Sequence, residues 1–254
     1  MNILFVGDVV GQKSAEYLAG IIPKLKRDNS IDMTIVNGEN SADGNGITPF
    51  SAKLLLEYAD VITTGNHCFR RREMNDMYEE SSVIIRPANL GDTVGKGYTV
   101  LDMGRTQVAV VNLIGMAYME SCNNPFHCID GILPQITTPN IIVDFHAEAT
   151  SEKRAMGFYL AGRVSAVIGT HTHVQTADEQ VLEEHTGYIT DVGYVGARDS
   201  VLGVDKDVII SRLTTYYPQK HTYPEGGETT VNAAVISIDE KCGKCTGIKR
   251  VNII

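Results

Sequence analysis

Short apolar runs along the chain alternate with segments whose apolar residues recur at helical spacing. The run "NILFVGD" comes first, and Ala15 to Lys26 then carries apolar positions with a helical period. "DMTIVNGEN" reads as the next strand, and Ser51 to Tyr58 as a helix, with Thr48 as its cap and Pro49 in the first turn. "DVITTGNH" is a third strand, followed by a charged helix over Arg70 to Glu80. "GYTVLDMGRTQVAVVNLIG" predicts an antiparallel hairpin turning at Met103 to Arg105. "NIIVDFHAEATSEKRAMGFYL" returns to strand then helix, with Thr150 or Ser151 as the expected cap and Glu148 and Glu152 nearby. Ser165 to Ile168 is a further apolar strand, and the end of the chain is again β-rich. Strands alternating with helices predict an α/β fold with parallel pairings. The near absence of long linkers favours one mixed domain over 1–254, with two sheets packed together.

The ends of the strands carry the chemistry. The first finishes in Asp8, the second in Glu39 and Asn40, the third in Asn66 and His67. "IIVDFHAEA" finishes in Asp144 and His146, and "SAVIGTHTH" in His171 and His173. Taken singly, Asp8 reads as a turn or cap residue, the asparagines beside glycine as turn chemistry, and His146 as a core histidine. The force is in the ensemble, because the C-terminal edge of an open α/β sheet is where ligands bind. In extended chain, His171 and His173 would point the same way and share a site.

Carboxylate, amide and imidazole ligands without thiolate suit Mn, Fe or Zn. There are enough of them for two ions, with Glu39 able to bridge. Two metals roughly 3.5–4 Å apart can hold a hydroxide nucleophile and clamp a phosphoryl group. His67, beside Asn66 but not needed as a ligand, is placed to protonate a leaving oxygen.

Charge and cysteines narrow the picture. A net charge of −9 argues against a binder of long nucleic acid, while a small anionic substrate stays compatible because bound metal dominates its local field. No apolar run approaches a membrane span, and Asp8 interrupts the N-terminal apolar stretch, so a cytoplasmic protein is expected. Of the 5 cysteines, Cys242 and Cys245 form "CGKC", which a turn in a terminal hairpin explains better than half a zinc site.

"GDVVG", "NGEN", "GNH", "DFHAEATSEK" and "GTHTHVQTAD" together resemble the YmdB-like branch of the calcineurin-type metallophosphoesterases. The similarity includes "RPAN" at Arg86 and "TGYITDVG" around Asp191 and runs over essentially the whole chain. It implies a four-layer αββα sandwich with a dinuclear metal site at the C-terminal ends of the strands. The implied reaction is hydrolysis of small phosphodiesters such as 2′,3′-cyclic nucleotides. Carried over by position, Asp8, Glu39, Asn40 and His173 would bind one ion and Glu39, Asn66, His146 and His171 the other, with His67 as proton donor. The expected metals are Fe or Mn, with Zn as a further option.

The broader superfamily usually opens with D-x-H, whereas this chain has "DVV"; Val10 cannot ligate, and Asn40 fills the place. After "GNH" the chain reads "CFRR", so Phe69 keeps an aromatic while Arg70 reverses the charge usual there. The rival readings are a phosphomonoesterase or nucleotidase on the same centre, and a regulatory protein with a non-catalytic metal site. The sequence leaves a homo-oligomer open. By position alone, "SADGNG" after Asn40 and the segment Met116 to Pro125 are candidates for a base pocket.

Overall fold

A computed structural model describes residues 1–42, 44–224 and 226–254. The first run bends at Gly7 into β1 (Asn2–Val6) and β2 (Asp8–Val9). A Cβ on Gly7 would meet Gly193 O at 2.0 Å, so only glycine lets the bend lie against that backbone. Then follow α1 (Gln12–Asn29), β3 (Met33–Asn37), α2 (Pro49–Leu56), β4 (Val61–Thr63), α3 (Asn75–Glu80), β5 (Tyr98–Asp102) and β6 (Gln107–Ile114). Next come α4 (Pro125–Ile132), β7 (Ile141–His146), α5 (Thr150–Leu160), β8 (Ala166–Thr170), β9 (Gln180–Leu182) and β10 (Thr186–Ile189). The chain ends with β11 (Tyr194–Ala197), α6 (Lys206–Thr215), β12 (Thr229–Asp239) and β13 (Lys244–Ile253).

Among the described residues the strands form two mixed sheets. One runs β2-β11-β12-β1-β3-β4, with β13 also on β12; the other runs β5-β6-β7-β8-β10-β9. The βαβ segments pair in parallel, as β1 with β3 and β7 with β8. The hairpins β5–β6 and β12–β13 are antiparallel.

Alternation along each strand sends its side chains to two cores. Ile3 and Phe5 of β1 join Ile35, Val110, Ile142 and Ile168 in an apolar cluster shared by both sheets. Leu4 and Val6 point the other way, onto Leu18 and Ile22 of α1 and Leu55 of α2. On the far sheet Val111 and Val143 meet Ile129 of α4 and Met156 and Leu160 of α5. Strands buried on both faces need continuous apolar sequence, which is why they read as unbroken runs.

Thr48 caps α2 through the Ser51 N–H, and Ser51 Oγ returns the bond to the Thr48 N–H. The cap expected on α5 is different: Ala149 holds that position and makes no side-chain bond. Thr150 is already helical there, while Glu152 reaches out to the N–H groups of Met116 and Ala117. The helix expected from Arg70 forms only at Asn75, after a 3₁₀ turn over Arg72–Met74, because Arg70 and Arg71 turn outward to Glu120 and Asn45. "CGKC" is the β12–β13 turn, with Cys242 exposed and Cys245 buried between the sheets. No helix of the described residues is long and apolar enough to cross a membrane.

Candidate metal centre

The strand ends converge. Asp8 opens β2, Glu39 and Asn40 follow β3, Asn66 and His67 follow β4, His146 closes β7, and His171 and His173 follow β8. Gly65 makes the close approach possible: a Cβ there would meet Glu39 Oε2 and the His146 ring at 2.3 Å. The backbone beyond β8 is not extended. His171 and His173 take φ values of 98° and 62°, in the left-handed region that residues with a Cβ rarely adopt. The two rings therefore diverge, His171 toward His146 and His173 toward Asp8, contrary to the shared direction expected of extended chain.

Hydrogen bonds around the cluster fix which atoms face it. Thr170 Oγ1 donates to Asp144 Oδ1 at 2.7 Å, so it accepts from His146 Nδ1 at 2.9 Å. That leaves a lone pair on His146 Nε2. Glu148 Oε2 lies 3.1 Å from His171 Nε2 and accepts its N–H, leaving a lone pair on His171 Nδ1. Asn66 donates its amide nitrogen to Glu120 at 3.2 Å, which turns its oxygen inward. Acceptors then meet acceptors: His146 Nε2 is 3.0 Å from His171 Nδ1, 3.1 Å from Asn66 Oδ1 and 3.2 Å from Glu39 Oε1.

Lone pairs so close repel unless positive charge stands among them. Burial opposes a charge on His146, but Glu39, Asp8 and Asp144 outweigh it and raise its pKa to about 9. Burial and the neighbouring His146 push His171 down to about 3. A second proton on His146 answers this demand with one charge. A divalent cation answers it with two and takes all four lone pairs, and the donor set fits a borderline metal. Glu39, His146 and His171 place ligand atoms within 4.8 Å of one another, so this buried cluster can bind a metal.

The neighbouring half is built on Asp8, which is fully buried. Its Oδ2 accepts the His171 N–H at 3.2 Å, while its Oδ1 has no hydrogen-bond partner among the described residues. His173 Nε2, at 3.7 Å, is beyond hydrogen-bond reach of that oxygen. Burial raises the Asp8 pKa, yet the charges of His173 and His146 and the His171 N–H outweigh it and hold the carboxyl well below its usual range. His173 Nδ1 donates to Leu202 O at 3.1 Å, which leaves Nε2 facing Asp8, and its ring stacks on Tyr194. Asn40 bridges the halves, its amide nitrogen 3.0 Å from Glu39 Oε1 and 3.4 Å from His173 Nε2. Its oxygen faces His67 Nδ1 at 2.8 Å.

Arg70 pairs with Glu120, the residue that holds Asn66, so its reversed charge acts at the rim. Cys68 is fully buried, and burial pushes its thiol up to about 12, which makes it unreactive. Met116 to Pro125 reaches the cluster through Glu120; in "SADGNG", Asp43 lies outside the described residues.

Lys153 and Thr172, which hold the histidine loop together with Asp191, were not singled out from the sequence. Lys153 of α5, 1% exposed, donates to Asp191 Oδ2 at 2.6 Å. The same oxygen accepts the N–H and hydroxyl of Thr172, between the two histidines, at 2.9 and 2.7 Å. This buried pair pins the left-handed loop. Lys153→Met should cost about 3 kcal/mol of unfolding free energy, since removing one partner leaves the other charge buried. Urea unfolding of the variant checks this; a loss within error would show that the pair does not brace the loop.

Two packed mixed sheets with a buried carboxylate–imidazole cluster at their strand ends define a metallophosphoesterase-like fold. The chain belongs to the YmdB-like protein family, which matches residues 4–251. It is 44% identical over 257 residues to the 2′,3′-cyclic-nucleotide 2′-phosphodiesterase of Bacillus subtilis (strain 168), covering 100% of this chain and 97% of that protein. A phosphatase of Mycoplasma pneumoniae superposes with TM-score 0.94 at 28% identity, over 100% of this chain and 93% of that one. A hypothetical protein from Thermus thermophilus superposes with TM-score 0.93 at 34% identity, over 100% and 99% of the two chains.

Proposed function

We propose that this chain is a dinuclear metal-dependent phosphoric diester hydrolase acting on small phosphodiesters, 2′,3′-cyclic nucleotides above all. The whole of 1–254 acts as one unit, and the three apolar clusters support its description as a four-layer αββα sandwich. The observation that carries the metal dependence is the set of four acceptor atoms meeting at His146 Nε2 with no proton assigned among them. The substrate class is supported by the full-length likeness to the Bacillus subtilis enzyme.

Asp8, Glu39, Asn40 and His173 hold one ion, and Glu39, Asn66, His146 and His171 the other, with Fe or Mn preferred and Zn accepted. Asn40 ligates through its oxygen, which requires its amide to turn over from its present bonds. Ions at these positions supply positive charge against the phosphoryl oxygens and acidify water into a nucleophile. The remaining work falls to His67. With the Asn40 amide turned over, its NH2 would donate to His67 Nδ1, and the Glu39 carboxylate accepts the His67 backbone N–H at 3.1 Å. The side chain is 25% exposed, and Nε2 is the nitrogen left to carry a proton to the leaving ribose oxygen.

The test is turnover of a 2′,3′-cyclic nucleotide beside a nucleoside monophosphate. The diester should be hydrolysed faster, activity should vanish with EDTA, and Mn²⁺ should restore it. Preference for the monoester would replace the diesterase by a phosphomonoesterase. No turnover by metal-loaded protein would leave a regulatory metal site.

A further inference from the structure

We propose that the N-terminus of α1 is a second phosphate-binding site, separate from the carboxylate–imidazole cluster. A cavity of about 420 Å³ opens onto this turn, lined by Val10, Gly11, Lys13 and Ser14 and by Tyr223 and Thr229. Space of this size takes a nucleoside-sized ligand.

The helix presents donors to it. Its N-cap is Gly11, at φ 80°, which offers no side chain to the first turn, and a Cβ there would meet nothing within 4 Å. The Gly11 N–H is taken by Asn40 O at 2.9 Å, but the N–H groups of Gln12 and Ser14 meet no acceptor among the described residues. Ser14 supplies the independent sign of a ligand. It is only 6% exposed, it lines the cavity, and its hydroxyl makes no hydrogen bond among the described residues. A hydroxyl and free N–H groups at the positive end of an 18-residue helix form an anion site, and phosphate is the anion such turns bind. Among the described residues two acids also line the cavity: Glu16 accepts from Gln12 Nε2 at 2.7 Å, and Glu228 pairs with Arg198 at 2.7 Å.

The site adjoins the cluster through short links. Val10 is two residues beyond Asp8, Gly11 bonds Asn40, and Gly203 follows Leu202, whose carbonyl holds His173. Its occupant is the phosphate group of a small molecule, either a second phosphate on the substrate or a free effector. The site itself does not depend on metal at the cluster.

The experiment is a titration of the full chain with inorganic phosphate, followed by backbone amide NMR. The Gln12 and Ser14 amides should shift and saturate. Ser14→Asp places a carboxylate against the same donors, where it also suits the first turn, and should weaken phosphate at least about tenfold. Ser14→Ala removes one donor and should weaken it less. Absence of shifts at Gln12 and Ser14, or equal titration in Ser14→Asp with its thermal unfolding unchanged, would overturn the site. A 2′,3′-cyclic nucleotide with and without a 5′-phosphate then separates the sources. A lower KM for the 5′-phosphorylated form that disappears in Ser14→Asp assigns the site to the substrate; equal KM values with the shifts intact assign it to a free ligand.

Discussion

Glu39→Ala should empty both proposed metal positions at once, whereas His171→Ala and His173→Ala should each empty mainly one. Glu39 is 1% exposed, and its carboxylate touches His146 Nε2, the Asn40 amide and the His67 N–H. Burial disfavours its charge, but His146 more than offsets this, so it stays ionised and able to bridge. His171 and His173 leave the same strand in opposite directions, one to His146 and the other to Asp8, so their losses should not resemble each other. Elemental analysis of gently purified protein should give two ions for the parent and one for each histidine variant. Glu39→Ala should retain close to none and lose nearly all turnover. A parent holding one ion, with no second site on titration, would sink the dinuclear reading.

His67→Ala should keep both ions and still lose about 10²–10⁴-fold in turnover of a 2′,3′-cyclic nucleotide, the range of general acid–base help. The ring contacts Asn40 and Glu39 from the side, and its loss removes none of the atoms that meet at His146. The leaving group tells the roles apart. A ribose oxygen needs a proton, whereas nitrophenolate departs without one, so the penalty should shrink on a nitrophenyl diester. An equal penalty on both substrates would mean that His67 stabilises phosphoryl charge instead. A metal-replete variant with unchanged rates on both would remove it from the reaction.

The frame of the molecule was legible because its strands are buried on both faces. "NILFV", "MTIVN" and "AVIGT" are unbroken runs in sequence for the reason that they separate two cores in space. The polar residues ending those runs were legible too, since ligating side chains are too polar for the core and must wait for the strand to finish. The bracing around them was not. Lys153 reads as a surface residue on a helix, and only the fold shows that it is buried against Asp191. The positive φ of His171 and His173 was not legible, because histidine enters that region more often than most residues yet still seldom. Thr170 looks like the end of a strand, but its hydroxyl sets the His146 tautomer through Asp144. α6 escaped notice because none of its residues is buried, so no apolar face marks it.

The bond between Asp8 and the His171 N–H spans 163 residues of chain. Contacts so remote in sequence close late, after the loop entropy between them has been overcome. Asp8, Glu39 and Asn40 precede His146, His171 and His173 by more than 100 residues of chain, so the carboxylate side of the site is made well before its imidazoles. The cluster is thus complete only when both sheets are in place, because its carboxylates lie at strand ends of one sheet and these imidazoles at strand ends of the other.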